Sequence, residues 1–182
     1  MDRFFIVTGG PGSGKTTLLD ALARHGVATM AEAGRAIIRQ QMAADGSALP
    51  WADREAFAEK MLAFDVTSYE AAKGRSGPIL FDRGIPDVIG YRALCGLSVP
   101  HDLERTASAH RYNNDVFIAP PWADIYAQDA ERKQDWSEAV ATHEVMARVY
   151  SDLGYNLLPL PFTTPDKRAD FVLRRISANA SA

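Results

Sequence analysis

Only one cysteine, Cys95, occurs in the 182 residues, so no disulfide can form within the chain. That excludes a cross-linked scaffold and agrees with a reducing compartment. Long hydrophobic runs are missing too: none approaches the roughly 20 apolar residues that cross a bilayer. The run Phe4-Phe5-Ile6-Val7 is too short for a signal-peptide core. The expectation is a cytoplasmic chain with no membrane span. Basic tracts are also absent. Lys+Arg number 20 against 23 Asp+Glu, and the net charge of −3 is spread along the chain. This gives no footing for nucleic acid. The four histidines, His25, His101, His110 and His143, are scattered without ligand spacing, so no zinc site is expected. No Ser-His-Asp set, internal repeat or dividing linker is readable.

What is present is an ordinary globular composition, 47% hydrophobic and 24% charged. One domain over 1–178 is expected, with a flexible tail at 179–182. Short apolar runs alternate with longer amphipathic ones, which argues for an α/β fold with a mainly parallel sheet. Strands are expected at Arg3–Thr8, Val27–Met30, Pro78–Asp82, Asp115–Ala119 and Asn156–Leu160. Helices are expected from Lys15 to about His25, over Glu32–Ala44 and Trp51–Lys73, over Pro86–Gly96, and after Pro100. Asp124–Leu153 reads as mostly helical, and Thr164-Pro165-Asp166 as a last helix start. Cys95 and the tryptophans Trp51, Trp122 and Trp136 are read as packing residues.

Between the first strand and first helix lies Gly9-Gly10-Pro11-Gly12-Ser13-Gly14-Lys15-Thr16, which fits G-x-x-x-x-G-K-[ST]. Glycines let the backbone reach φ > 0 and approach an anion, and successive amides plus the helix N-terminus supply positive charge. The segment is expected to hold the triphosphate of ATP. Lys15 would reach the β- and γ-phosphates and Thr16 would bind Mg²⁺, while Thr17 stands behind the loop in the helix.

Two carboxylates are expected at the ligand edge of such a sheet. Asp82 ends an apolar strand and would face the phosphate loop, holding Mg²⁺ directly or through water. Arg83 follows, with a planar fork suited to a phosphate or a substrate acid. The plainer alternatives are Asp82 capping the next helix and Arg83 pairing with Asp87 at i,i+4. Glu32 follows the second strand, with Arg35 at i+3. It is either a base for a substrate hydroxyl or a first-turn Glu with a solvated partner. In the charged stretch Asp129, Glu131, Arg132, Lys133, Asp135 and Glu138, Arg132 is the candidate lid residue over the transferring group. A solvated helix face would explain the same charges. A base pocket is placed around Pro161–Pro165.

These motifs, together with Ala31-Glu32-Ala33-Gly34-Arg35, Leu80-Phe81-Asp82-Arg83-Gly84-Ile85-Pro86-Asp87, Pro121-Trp122-Ala123-Asp124-Ile125-Tyr126, Asp129-Ala130-Glu131-Arg132 and Leu153-Gly154-Tyr155, carry a family resemblance. They resemble the AAA-type ATPase family that is similar to ribosylnicotinamide kinases, over almost the whole chain to about Pro161. The resemblance implies a P-loop NTPase of the nucleoside/nucleotide-kinase type, a three-layer sandwich with a five-stranded parallel sheet and a helical lid at about 122–148. It implies Asp82 near metal and phosphates, Glu32 or Asp82 near the acceptor hydroxyl, and Arg132 in the lid. The expected function is Mg-dependent transfer of the ATP γ-phosphoryl group to a small, nucleoside-like acceptor. The alternative is a nucleotide-dependent switch acting on a protein or lipid partner. Oligomeric state is open. No Asn-Lys-x-Asp stretch supports guanine reading.

Overall fold

The computed structural model describes residues 3–126 and 135–179. Its elements run β1 (Phe4–Gly9), α1 (Lys15–Arg24), β2 (Ala28–Met30), α2 (Ala33–Ala43), α3 (Arg54–Lys73), β3 (Ile79–Asp82) and α4 (Ile85–Leu94). They continue through α5 (His101–Ala109), β4 (Asp115–Ala119), α6 (Trp136–Asp152), β5 (Asn156–Pro159) and α7 (Pro165–Asn179). The five strands are all parallel, in the order β2-β3-β1-β4-β5. The chain moves from β1 to one side of the sheet, returns, and crosses to the other side for β4. A crevice therefore opens beyond the carboxyl end of β1, where ligands of such sheets bind.

Helices cover both faces. Even-numbered β1 residues, Phe4 and Ile6, pack with Tyr69, Phe81, Tyr112, Met146, Tyr150 and Tyr155 on the α3/α6 face. Odd-numbered Phe5 and Val7 pack with Leu18, Leu22, Phe117, Val172 and Ile176 on the α1/α7 face. Period-two alternation with both faces apolar is what a central parallel strand requires. A third cluster, including Ile37, Phe57, Met61, Ile85, Val88 and Leu103, joins α2, α3, α4 and α5 beyond the sheet.

Helix ends follow local chemistry. Asp53 caps α3 by accepting a hydrogen bond from the Ala56 amide at 3.0 Å, so the helix starts at Arg54 and leaves Trp51 outside it. Trp51 is consequently exposed, as is Trp136, which corrects the reading of both as packing residues. Cys95 stands at the C-cap of α4, half-buried, and not within an apolar helix core. Gly26 takes φ 79 just past α1, the left-handed conformation that ends a helix. The segment expected as a lid divides. Ala123–Ile125 is a 3-10 turn, but α6 from Trp136 packs onto the sheet with Met146 and Tyr150 buried. Among the described residues no helix is long and apolar enough to cross a membrane.

Candidate active site

The glycine loop leaves β1 at Gly9 (φ 127) and enters α1 through Gly14 (φ 80), with Gly12 also at positive φ. A side chain at Gly9 would collide with the carbonyl oxygen of Ala119 at the end of β4. Left-handed backbone at Gly14 aims the first amides of α1 into the loop. Pro11 and Ser13 are buried, and the Ser13 hydroxyl donates to the Gly10 carbonyl at 2.8 Å. The Lys15 ammonium lies inside this curl, donating to the carbonyls of Gly10 (2.6 Å) and Gly9 (3.0 Å). Thr16 is exposed at the mouth and its hydroxyl makes no hydrogen bond among the described residues. Thr17 donates to the Gly14 carbonyl at 3.0 Å, which places it behind the loop as expected.

Asp82 ends β3 in register with Val7, the residue two before the loop. Its Oδ1 is buried and has no hydrogen-bond partner among the described residues. Burial, then the Glu32 carboxylate, raises its pKa, with Asp87 adding and Lys15 and Arg83 opposing. Asp82 does not cap α4. That role falls to Asp87, whose Oδ2 accepts from the Gly84 amide at 3.0 Å.

Arg83 has φ 69, an uncommon left-handed conformation for a side-chain-bearing residue and one that stores strain at functional sites. This turn sends its guanidinium back over the sheet edge. Nε donates to Glu32 Oε1 at 3.0 Å and Nη1 to Asp87 Oδ1 at 3.2 Å. Burial alone would disfavour the charge, but Glu32, Asp87 and Asp82 outweigh it and raise the pKa. The i,i+4 pair of Arg83 with Asp87 is therefore present, and the guanidinium is a bridge between carboxylates. Glu32, at the N-cap of α2, is also 3.4 Å from Arg35 Nε through Oε2. Its side chain is 17% exposed, at the surface of the crevice.

Three residues of this region were not anticipated as parts of the site. Asp87, 1% exposed, is its hub: besides Gly84 and Arg83, it accepts from the Thr8 hydroxyl and the Tyr150 hydroxyl, each at 2.6 Å. Asp65 on α3 is buried, and burial, then Asp87, pushes its pKa well up. Arg168 on α7 is 2% exposed and reaches Ser13 O and Pro161 O, both at 2.8 Å, with its guanidinium 4.8 Å from the Trp122 ring. Trp122 in turn meets Phe162 edge-to-face. That aromatic stack borders the loop expected to read a base. A signal existed for the last two residues: each is a polar break in the inward stripe of its helix, at i,i+4 spacing from apolar residues. Arg132 and Lys133 lie outside the described residues.

The donor set fits Mg²⁺, which takes oxygen ligands and shares them with phosphates and water. Asp82 offers an unpartnered buried oxygen and Thr16 an open hydroxyl. Among the described residues there is no group of three or more His, Cys, Asp or Glu side chains able to hold a metal by themselves.

The fold is shared with known proteins. Over 97% of this chain, the NadR protein solved in complex with NR superposes with TM-score 0.72 at 20% identity. NadR in complex with NAD and AMP-PNP gives TM-score 0.66, also at 20% identity. The chain spans about half of NadR, 52% and 50% of the two structures. Deoxyadenosine kinase from M.mycoides with bound dATP gives TM-score 0.61 at 12% identity, covering 96% of this chain and 99% of that one. No curated protein matches in sequence. The sequence profile of the AAA domain family matches residues 4–168, and the chain belongs to that family.

Proposed function

We propose that the protein is an ATP-dependent phosphotransferase that moves the γ-phosphoryl group to a hydroxyl of a small, nucleoside-like acceptor. The observation that carries this reading is the buried, unpartnered Oδ1 of Asp82 at the sheet edge beside the glycine loop. An unsatisfied buried carboxylate oxygen is costly, and a metal–nucleotide complex would satisfy it.

In this reading the backbone of Gly9–Thr16 cradles the phosphates. Lys15 exchanges its loop carbonyls for phosphate oxygens, while Thr16 and Asp82 hold Mg²⁺. The metal, when bound, neutralises charge on the transferring group. Glu32, fixed by Arg83 and Arg35, orients the acceptor hydroxyl and takes its proton as the new O–P bond forms and the bond to the departing ADP oxygen breaks. Arg83, whose fork is occupied by two carboxylates, positions Glu32. Arg132 is proposed as the lid residue that covers the transferring group. The Arg168–Trp122–Phe162 stack offers a surface for the nucleotide base. Solved relatives of the same fold with NR, dATP and AMP-PNP bound support the choice of a nucleoside-like acceptor and a nucleotide donor.

The test is incubation with Mg-ATP and a pooled panel of nucleosides and small alcohols, with products followed by mass spectrometry and Lys15→Ala as control. One acceptor gaining a phosphoryl group, absent in the control, is the expected result. Glu32→Gln is expected to lower kcat about 100-fold or more, the usual contribution of a general base, while nucleotide affinity stays within about twofold. Tight nucleotide binding with no product from any acceptor would transfer the weight to a nucleotide-dependent switch.

A further inference from the structure

Steps of four residues put Arg168, Val172 and Ile176 in one buried row of α7. Val172 and Ile176 belong to the hydrocarbon core on the α1/α7 face, and an apolar side chain at 168 would continue it. The row ends instead on a buried guanidinium that reaches the glycine loop. The approach is close: a Cβ added to Gly14 would stand 3.1 Å from Arg168 Nη1. Among the described residues no carboxylate pairs with this cation, and burial pulls its pKa down. Its Nη2 is buried without an acceptor among them. A buried cation with no counter-charge is costly, so packing does not account for it.

What the guanidinium joins does account for it. Nη1 donates to the carbonyl of Ser13 in the glycine loop, and Nε to the carbonyl of Pro161 just beyond β5, both at 2.8 Å. Ser13 is thereby held at two points, since its hydroxyl donates to the Gly10 carbonyl. Pro161 is followed by Phe162, whose ring meets Trp122 edge-to-face at 5.5 Å. Trp122, from the segment after β4, has its ring centroid 4.8 Å from the guanidinium carbon. One planar group thus touches the phosphate loop, the loop after β5 and the aromatic ring after β4. Two donors in a rigid fork fix two carbonyls at one separation, which the single flexible ammonium of lysine does not.

We propose that Arg168 is a positioning residue that locks the loop bearing Phe162 to the glycine loop, so that the base and the triphosphate of a nucleotide are held at one fixed separation. This role rests on the placement of the base against the Trp122–Phe162 stack, and it concerns nucleotide binding alone, with no need of an acceptor. A ligand that touches both loops gains from the lock, because they are already ordered relative to each other before it binds. A ligand confined to the glycine loop gains nothing from it. Inorganic tripolyphosphate is such a ligand, carrying the phosphates of ATP without ribose or base.

The experiment measures binding of Mg-ATP and of magnesium tripolyphosphate to the whole chain by titration calorimetry, unaltered and as Arg168→Lys. Lysine keeps the charge and the stem and loses the fork. The Kd for ATP should rise about tenfold or more, the scale of losing a hydrogen bond to a charged group. The Kd for tripolyphosphate should stay within about twofold, because that ligand does not reach the loop after β5. A merely structural role would weaken both alike, and equal losses overturn the inference. So does unchanged ATP affinity in Arg168→Lys, which would mean that charge alone matters. Failure of tripolyphosphate to bind the unaltered protein overturns it as well, since the glycine loop is then not a separable half of the cradle. Should Arg168→Lys not fold, Trp122→Leu decides, because it removes the aromatic plane and leaves both hydrogen bonds in place. Weakened ATP binding with intact tripolyphosphate binding upholds the inference there, and unchanged ATP affinity or equal losses overturn it. None of these outcomes is read through phosphotransfer. Absence of a phosphorylated product from any acceptor would therefore overturn the phosphotransferase reading and leave this one standing.

Discussion

The two faces of the sheet are built from different materials. On the α1/α7 side the core cluster is hydrocarbon throughout, with Phe5, Val7, Leu18, Leu22, Phe117, Leu160, Val172 and Ile176 and no hydroxyl among its members. On the α3/α6 side four tyrosines, Tyr69, Tyr112, Tyr150 and Tyr155, take the corresponding places. Their rings pack edge-on, Tyr69 against Phe4 and Tyr112 at 5.2 Å and Tyr150 against Tyr155 at 5.4 Å. Their hydroxyls bond outward to polar groups: Tyr69 donates to the Arg111 carbonyl and Tyr150 to Asp87. The hydrocarbon face is held by burial, which is non-directional. The tyrosine face adds directional bonds, and the one from Tyr150 reaches Asp87 and through it Arg83 and Glu32. The hydrocarbon cluster supplies stability; the tyrosine cluster supplies stability and, through Tyr150, orientation of the candidate acceptor site.

That contrast can be broken by mutation, most forcefully at its polar centre. Asp87→Ala strands the Thr8 and Tyr150 hydroxyls, the Gly84 amide and one end of Arg83. A loss of about 4 kcal/mol is expected in urea unfolding, the scale of breaking a buried charge network. Phosphotransfer should fall with it, since Glu32 loses the restraint that Arg83 provides. Retained stability and retained rate would show that the network does not organise the site.

Leu22→Ala, on the opposite face, should cost about 3 kcal/mol, the middle of the range for a fully buried leucine. Here the comparison sharpens. At temperatures where this variant is folded, its KM for the acceptor should equal that of the unaltered protein. A changed acceptor KM would mean that the two faces are not independent.

Tyr150→Phe makes the smallest change, deleting one donor to Asp87 while keeping the ring. About 1 kcal/mol of stability should be lost by thermal unfolding. A modest rise in acceptor KM, absent for Leu22→Ala, is the signature that separates a positioning face from a packing face.

How far each part could be read from the residues follows the same division. The glycine loop was legible because its chemistry is local: backbone amides, one lysine and one hydroxyl within eight consecutive positions. Strands and helices were legible because apolar periodicity and punctuation are local as well. β4 lies at Asp115–Ala119 as expected, and most other boundaries move by only one or two residues. The largest shift is at α6, which begins at Trp136 and not near Asp124, and a smaller one at α3 came from Asp53, a capping residue that outranked the aromatic Trp51 as a helix start. Arg83 was ambiguous in sequence, since a phosphate ligand and a partner of Asp87 use the same fork. The positive φ at that position, and Glu32 arriving from 51 residues away, place the fork between two carboxylates, which neighbouring residues alone did not show.

By itself, then, the sequence determined the α/β class, the phosphate cradle and the acidic end of β3, because each is written in neighbouring residues and short-range periodicity. The tertiary structure alone decided which buried carboxyls are satisfied and which are not. Asp87 and Asp65 are both aspartates on buried helix faces, yet among the described residues Asp87 collects bonds from Thr8, Arg83, Gly84 and Tyr150 while Asp65 collects none. That difference depends on strand order, which brings β1, the turn after β3 and α6 together around the Asp87 carboxylate. Hydrogen bonds reach about 3 Å, so what lies within that distance is settled by the fold and not by separation along the chain.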